Sequence, residues 1–174
     1  MGMSIDEMKL VDRARAQLDQ LMLQVANRDA SMKKNAADTA LVDFKTYFSN
    51  REFSLTGSDW NVSATHGSIV FALAIKNAPT GGPECLILKF PEMLRRAPLT
   101  VYLEAQVAKP VANSSAVAEP AKSVMQEIED RMTQMRDRLA APPVRWMYYT
   151  KPDAPTPERK DYMSFTRLLD VECP

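Results

Sequence analysis

The sequence predicts an α+β fold: an antiparallel β-meander packed by a long N-terminal helix and a second amphipathic helix, with a C-terminal β-hairpin or helix. Three observations carry this expectation. Apolar residues recur at spacings of three and four near the start of the chain and again over residues 124–139. The period falls to two between residues 52 and 108. The strand-like segments there are joined by loops too short for parallel crossovers. With 174 residues, 45% of them hydrophobic and 25% charged, the chain is expected to form one domain. Its parts are a helix over 1–35, a sheet over 52–108, a helix over 119–141 and a terminal hairpin over 144–174.

The first helix is expected from Ile5 to Lys33. Ser4 and Glu7 have the spacing of a capping box, and Met3 and Met8 that of a hydrophobic staple. Val11, Ala14, Leu18, Leu21, Val25 and Met32 then form a heptad seam, interrupted by Arg28 where an apolar residue is due. Leu10, Met22 and Leu23 widen the apolar surface beyond a strict seam, which favours a multi-helix cluster over a free two-stranded rod. Lys33, Lys34 and Asn35 are read as the end of this helix. Asp38 would cap a second, shorter helix with Leu41, Phe44 and Phe48 on one face; a strand is the alternative.

Trp60, Val62 and Ala64 alternate with polar residues as in a half-buried strand, and His66-Gly67 reads as a tight turn. Residues 68–75 are apolar on both faces, the pattern of a strand covered on both sides. A Pro- and Gly-rich loop over 77–83 leads to a short strand from Cys85 to Phe90. Leu99, Val101, Leu103, Ala105 and Val107 give the cleanest alternation in the chain.

A small-residue linker over 109–119 follows. Met125, Ile128, Met132, Met135 and Leu139 then form a second seam, on a helix that Pro120 can start and Pro142-Pro143 can stop. Glu127 is placed to pair with Arg131. Arg145–Thr150 has strand composition. Tyr162–Val171 fits either a helix or a second hairpin strand, and the strand is preferred.

The functional content is thinner. Twenty-two basic residues balance twenty-two acidic ones, which disfavours a dedicated nucleic-acid binder. No apolar run approaches the roughly 18 residues of a membrane span, and no leader sequence is recognisable, so a cytoplasmic protein is expected. Cys85 and Cys173 belong to no CxxC motif; they are read as a buried small hydrophobe and a free tail thiol. With one histidine, His66, a multi-histidine metal site is excluded. No phosphate-binding glycine motif occurs. Accordingly no cofactor, no metal and no catalytic residue are expected.

What remains is two methionine-bearing seams in a chain with 11 methionines. Flexible thioethers suit adaptable binding surfaces. A non-enzymatic protein–protein interaction module is therefore expected, acting through Val11, Leu18, Leu21, Val25, Met125, Ile128, Met132 and Met135. The partner would be another protein or a second copy of the chain. The alternative is a nucleic-acid-binding accessory protein using Arg95, Arg96, Arg145 and Trp146.

Overall fold

The computed structural model describes residues 4–106, 123–141, 143, 145–151 and 158–174. It is α+β, with helix α1 (Ile5–Ser49) followed by strands β1 (Ser54–Ser58), β2 (Asn61–His66), β3 (Ile69–Asn77), β4 (Pro83–Lys89) and β5 (Leu99–Gln106). Helix α2 (Val124–Ala140), strands β6 (Arg145–Thr150) and β7 (Lys160–Tyr162) and helix α3 (Phe165–Glu172) complete it. The chain divides into two compact units: residues 1–30 with 107–144, and residues 31–106 with 145–174.

The start of α1 is the capping box that its sequence encodes. Glu7 N–H donates to Ser4 Oγ at 3.2 Å, and Ser4 N–H donates to Glu7 Oε2 at 2.7 Å. Met3, the other half of the expected staple, lies outside the described residues. The break expected at Lys33–Asn35 is absent, and α1 continues unbroken to Ser49. No glycine or proline interrupts this stretch. Lys34 and Asp38 instead form an i,i+4 ion pair at 3.2 Å, so Asp38 is a mid-helix partner and not a cap. Ala36, Ala37 and Ala40 add high helix propensity and are all buried.

In the second unit the seven strands form one antiparallel sheet in chain order. Its register places Val62 against Leu73, Leu73 against Leu88, Leu86 against Val101, Leu103 against Tyr148 and Tyr148 against Tyr162. These residues share one face, and they bury it against Ala37, Leu41, Phe44 and Phe48 of α1 and Phe165, Leu168 and Leu169 of α3. Phe48 is the hub, with ring centroids 4.7 Å from Phe44 and from Phe71. Each such side chain contributes roughly 1.5–3 kcal/mol on burial.

Two readings of the sheet are corrected. Residues 68–75 are not covered on both sides: Val70 is exposed, and Ala72 and Ala74 are half-buried. Their small side chains make the run look buried without requiring a second layer. Trp60 is exposed because it lies in the two-residue turn before β2, outside the strand alternation. The tightness of that hairpin falls on Gly57, at φ 125°, where an added Cβ would sit 2.1 Å from the Asn61 carbonyl oxygen.

The terminal segment forms a hairpin and then a helix. Among the described residues after β6, Lys160–Tyr162 pairs with it, and Ser164 then caps α3 by accepting from Arg167 N–H at 3.2 Å. The strand preferred for Tyr162–Val171 is thus replaced by a helix that buries Phe165, Leu168 and Leu169. Cys173 is a free thiol, as expected, but not an exposed one. It is buried, and burial pushes its thiol up to about 12.

In the first unit, α2 starts at Ser123, whose Oγ accepts from Gln126 N–H at 3.3 Å. Pro120, the expected starter, lies outside the described residues. The Glu127–Arg131 pair does not form within ion-pair distance among the described residues.

Candidate functional site

The two seams meet each other. Ala14 and Leu18 of α1 and Ile128 and Met132 of α2 make a buried cluster, with Val11, Leu21, Met125 and Met135 packed around it. Val25, the remaining seam residue, is also buried. The helices run parallel, because Leu18 lies beside Ile128 and Arg28 reaches Arg138 and Leu139. All eight residues expected to bind a partner are therefore placed within one helical unit, and those of the cluster are covered by the chain itself.

The interruption of the first seam has a chemical purpose. Arg28 Nη1 donates to the carbonyl oxygens of Arg138 and Leu139, the latter at 3.2 Å. Those carbonyls belong to the last turn of α2, where no intrahelical donor is available. The guanidinium also complements the negative end of the α2 dipole. Asp29 fixes this arrangement. Its Oδ1 accepts from Arg28 Nη2 at 2.8 Å and its Oδ2 from Arg138 Nη2 at 2.8 Å. Arg28→Ala is expected to fray the last turn of α2 and cost about 1 kcal/mol. Faster amide exchange confined to residues 136–140 is the check.

Among the described residues, one flank of the helical pair stays open. Arg15, Asp19 and Met22 from α1 and Val124, Glu127 and Arg131 from α2 line a shallow groove of about 300 Å³, floored by Leu18 and Ile128. Met22 is 52% exposed and Val124 42%. The i,i+4 spacing puts Arg15 with Asp19, and Glu127 with Arg131, on single faces of their helices. None of these four charges is in an ion pair among the described residues. The sequence signal for this flank is the apolar widening at Met22; Val124 and the charge pattern carry no signal until the two helices are placed side by side.

The residues of the nucleic-acid alternative do not come together. Arg95 and Arg96 precede β5, whereas Arg145 and Trp146 pair with Gln106 and Ala105 at its far end. A strand of this length separates them by about 24 Å. Arg96 is engaged with Glu172 at 2.6 Å, Arg145 donates to Gln106 Oε1 at 2.7 Å, and Trp146 is half-buried against the core. A different aromatic pair lies on the open sheet face. Tyr102 and Tyr149 stack at 5.2 Å, with Lys151 Nζ 5.6 Å from the Tyr149 ring centroid.

No family model, curated protein or solved structure matches this chain.

His66 is exposed, with Nδ1 3.2 Å from the Glu52 carbonyl oxygen and its ring 5.5 Å from Phe53. Among the described residues, no three His, Cys, Asp or Glu side chains converge as metal ligands. A cleft of about 350 Å³ lies between α1, β6 and the start of α3, lined by Met32, Asn35, Asp43, Trp146 and Met163 among others. Its base is closed by Tyr148, whose hydroxyl donates to the Ala36 carbonyl at 2.9 Å. Burial, and then the neighbouring Asp43, push that hydroxyl far above its ordinary range, so it stays protonated. No helix among the described residues is long and apolar enough to cross a membrane.

Proposed function

We propose that this protein is a non-enzymatic interaction module of the cytoplasm, an adaptor, chaperone-like or assembly subunit whose working surface is the α1–α2 helical pair. The supporting observation is the placement of apolar side chains that the fold does not use. Ile5, Met8, Leu10, Met22, Leu23 and Val124 are all exposed on this one small unit, although its two seams are already packed together. Exposed apolar surface of this density is costly in water and marks contact surfaces. Methionine at positions 8 and 22 suits a surface that must adapt to its occupant.

The test is crosslinking in cells with a photoreactive amino acid in place of Met22, and separately in place of Thr80, which is exposed in the loop between β3 and β4. Adducts are expected at position 22 and not at position 80. An absence of adducts at position 22 would sink the reading.

A further inference from the structure

We infer that the open flank of the α1–α2 pair docks the same flank of a second copy in antiparallel orientation, closing a four-helix bundle. This rests on the interaction reading above and names its partner. The argument is the order of the charges. Along α1 the flank reads Arg15 then Asp19; along α2 it reads Glu127 then Arg131. A two-fold axis perpendicular to the helices brings α1 over α1 and α2 over α2 with directions reversed, so each position meets its counterpart from the other end. Arg15 then faces Asp19 of the second copy, and Glu127 faces Arg131. Each of the four charges then has an opposite charge in the second copy. A two-fold axis along the helices would instead lay α1 over α2 with all four helices parallel and their dipoles aligned, whereas the antiparallel arrangement opposes them. The charges thus match a second copy, and the opposed helix dipoles favour the antiparallel orientation.

The groove between these charges supplies the apolar contact. Met22 and Val124 stand at its rim, over Leu18 and Ile128. The 17 residues of α2 are about 25 Å long, and two packed helices are about 20 Å across, so the face measures about 500 Å² per copy. That lies at the low end for a specific dimer and predicts reversible association.

The experiment is sedimentation velocity of the full chain from about 100 to about 1 µM, at low and high salt. A dimer that dissociates on dilution, and more readily at high salt, is expected. Arg15→Glu sets carboxylates against carboxylates at both ends of the contact and should weaken dimerisation at least ten-fold. Asp19→Arg should do the same with opposite sign. Combining the two restores the matched pattern and should restore the dimer. Both sites are exposed, and unchanged far-UV circular dichroism verifies that each variant is folded.

A wild-type chain that is monomeric throughout overturns the inference, as does a dimer indifferent to the single reversals. The crosslink at position 22 separates these failures from failure of the wider reading. An adduct with twice the chain mass supports the second copy. An adduct of another mass, with a monomeric chain, rejects the second copy and leaves the module with a different partner. No adduct rejects both.

Discussion

Leu18→Glu combined with Leu21→Glu is expected to release α2 from α1 and unfold it. Leu18 is 7% exposed and sits in the cluster with Ala14, Ile128 and Met132. Losing one buried leucine typically costs about 2–5 kcal/mol, and an unpaired carboxylate in its place adds several more. The small cluster has nothing comparable in reserve. Once undocked, α2 is a helix of 17 residues, a length marginally stable in water. The 17 residues of α2, set against 45 in α1 and 8 in α3, are about a quarter of the helix, so circular dichroism should fall by about that fraction. The buried cores do not overlap: Phe44, Phe48 and the sheet face belong to a separate cluster. Exchange protection in β2–β5 should therefore survive. Retained protection across Val124–Ala140 would show that the pairing of the seams is not what holds α2. This outcome also differs from that of the surface reversals at Arg15 and Asp19, which alter assembly and leave helicity intact.

The second large effect centres on Glu172, a carboxylate buried near the end of α3. Arg96 Nη2 donates to its Oε2 at 2.6 Å and Arg96 Nη1 to its backbone carbonyl at 2.8 Å, while the Tyr162 hydroxyl donates to Oε1 at 2.8 Å. Burial pulls this carboxyl upward, but the hydrogen bonds from Arg96 and then Tyr162 outweigh it and hold the group below its ordinary 4.5. A depressed carboxylate stabilises the fold fully above its unfolded value, and this contribution is lost as pH falls through the folded value. Glu172→Gln removes the charge and should cost about 1–3 kcal/mol at pH 7, a range kept modest because Arg96 is partly exposed. Urea unfolding at about pH 7 and about pH 3 is the check. The gap between wild type and variant should narrow as the pH falls through the folded value of Glu172. A gap that persists in acid would mean that packing of the side chain, not its charge, accounts for the effect.

Periodicity made much of this fold readable. Val62 and Ala64, Val101 and Leu103, and Ile128 and Met132 are buried where the alternation puts them. The capping box at Ser4 and Glu7 forms with both of its bonds. Local chemistry misled where longer-range context decides. Lys33-Lys34-Asn35 resembles a helix end, but uninterrupted helix formers and an apolar stripe facing the sheet carry α1 onward. Tyr162–Val171 was ambiguous because strand pairing of three residues and helix docking of eight suit different parts of one short segment. The candidate site was legible as a set of apolar positions and not as a surface. The spacing in each seam says that something must cover it. Only the parallel placement of the two helices shows that each covers the other, and that Arg15, Asp19, Glu127 and Arg131 consequently share a flank.

The parallel course of α1 and α2 also bears on the order in which the chain can fold. Gln106 and Arg145 are direct cross-strand partners, yet residues 107–144 intervene between them. β5 and β6 are in effect a hairpin whose turn has been expanded to hold a helix. Closing a loop of about forty residues instead of about four costs roughly 2 kcal/mol more in chain entropy. The four hairpins that link β1 through β5 carry no such penalty, so they can zip early along with the adjoining part of α1. β6, β7 and α3 must wait for a slower, non-local closure. The last strands and final helix, held by Glu172 and Tyr148, are thus expected to form the late phase of refolding. Replacing residues 107–144 with a tight turn would merge that phase with the first.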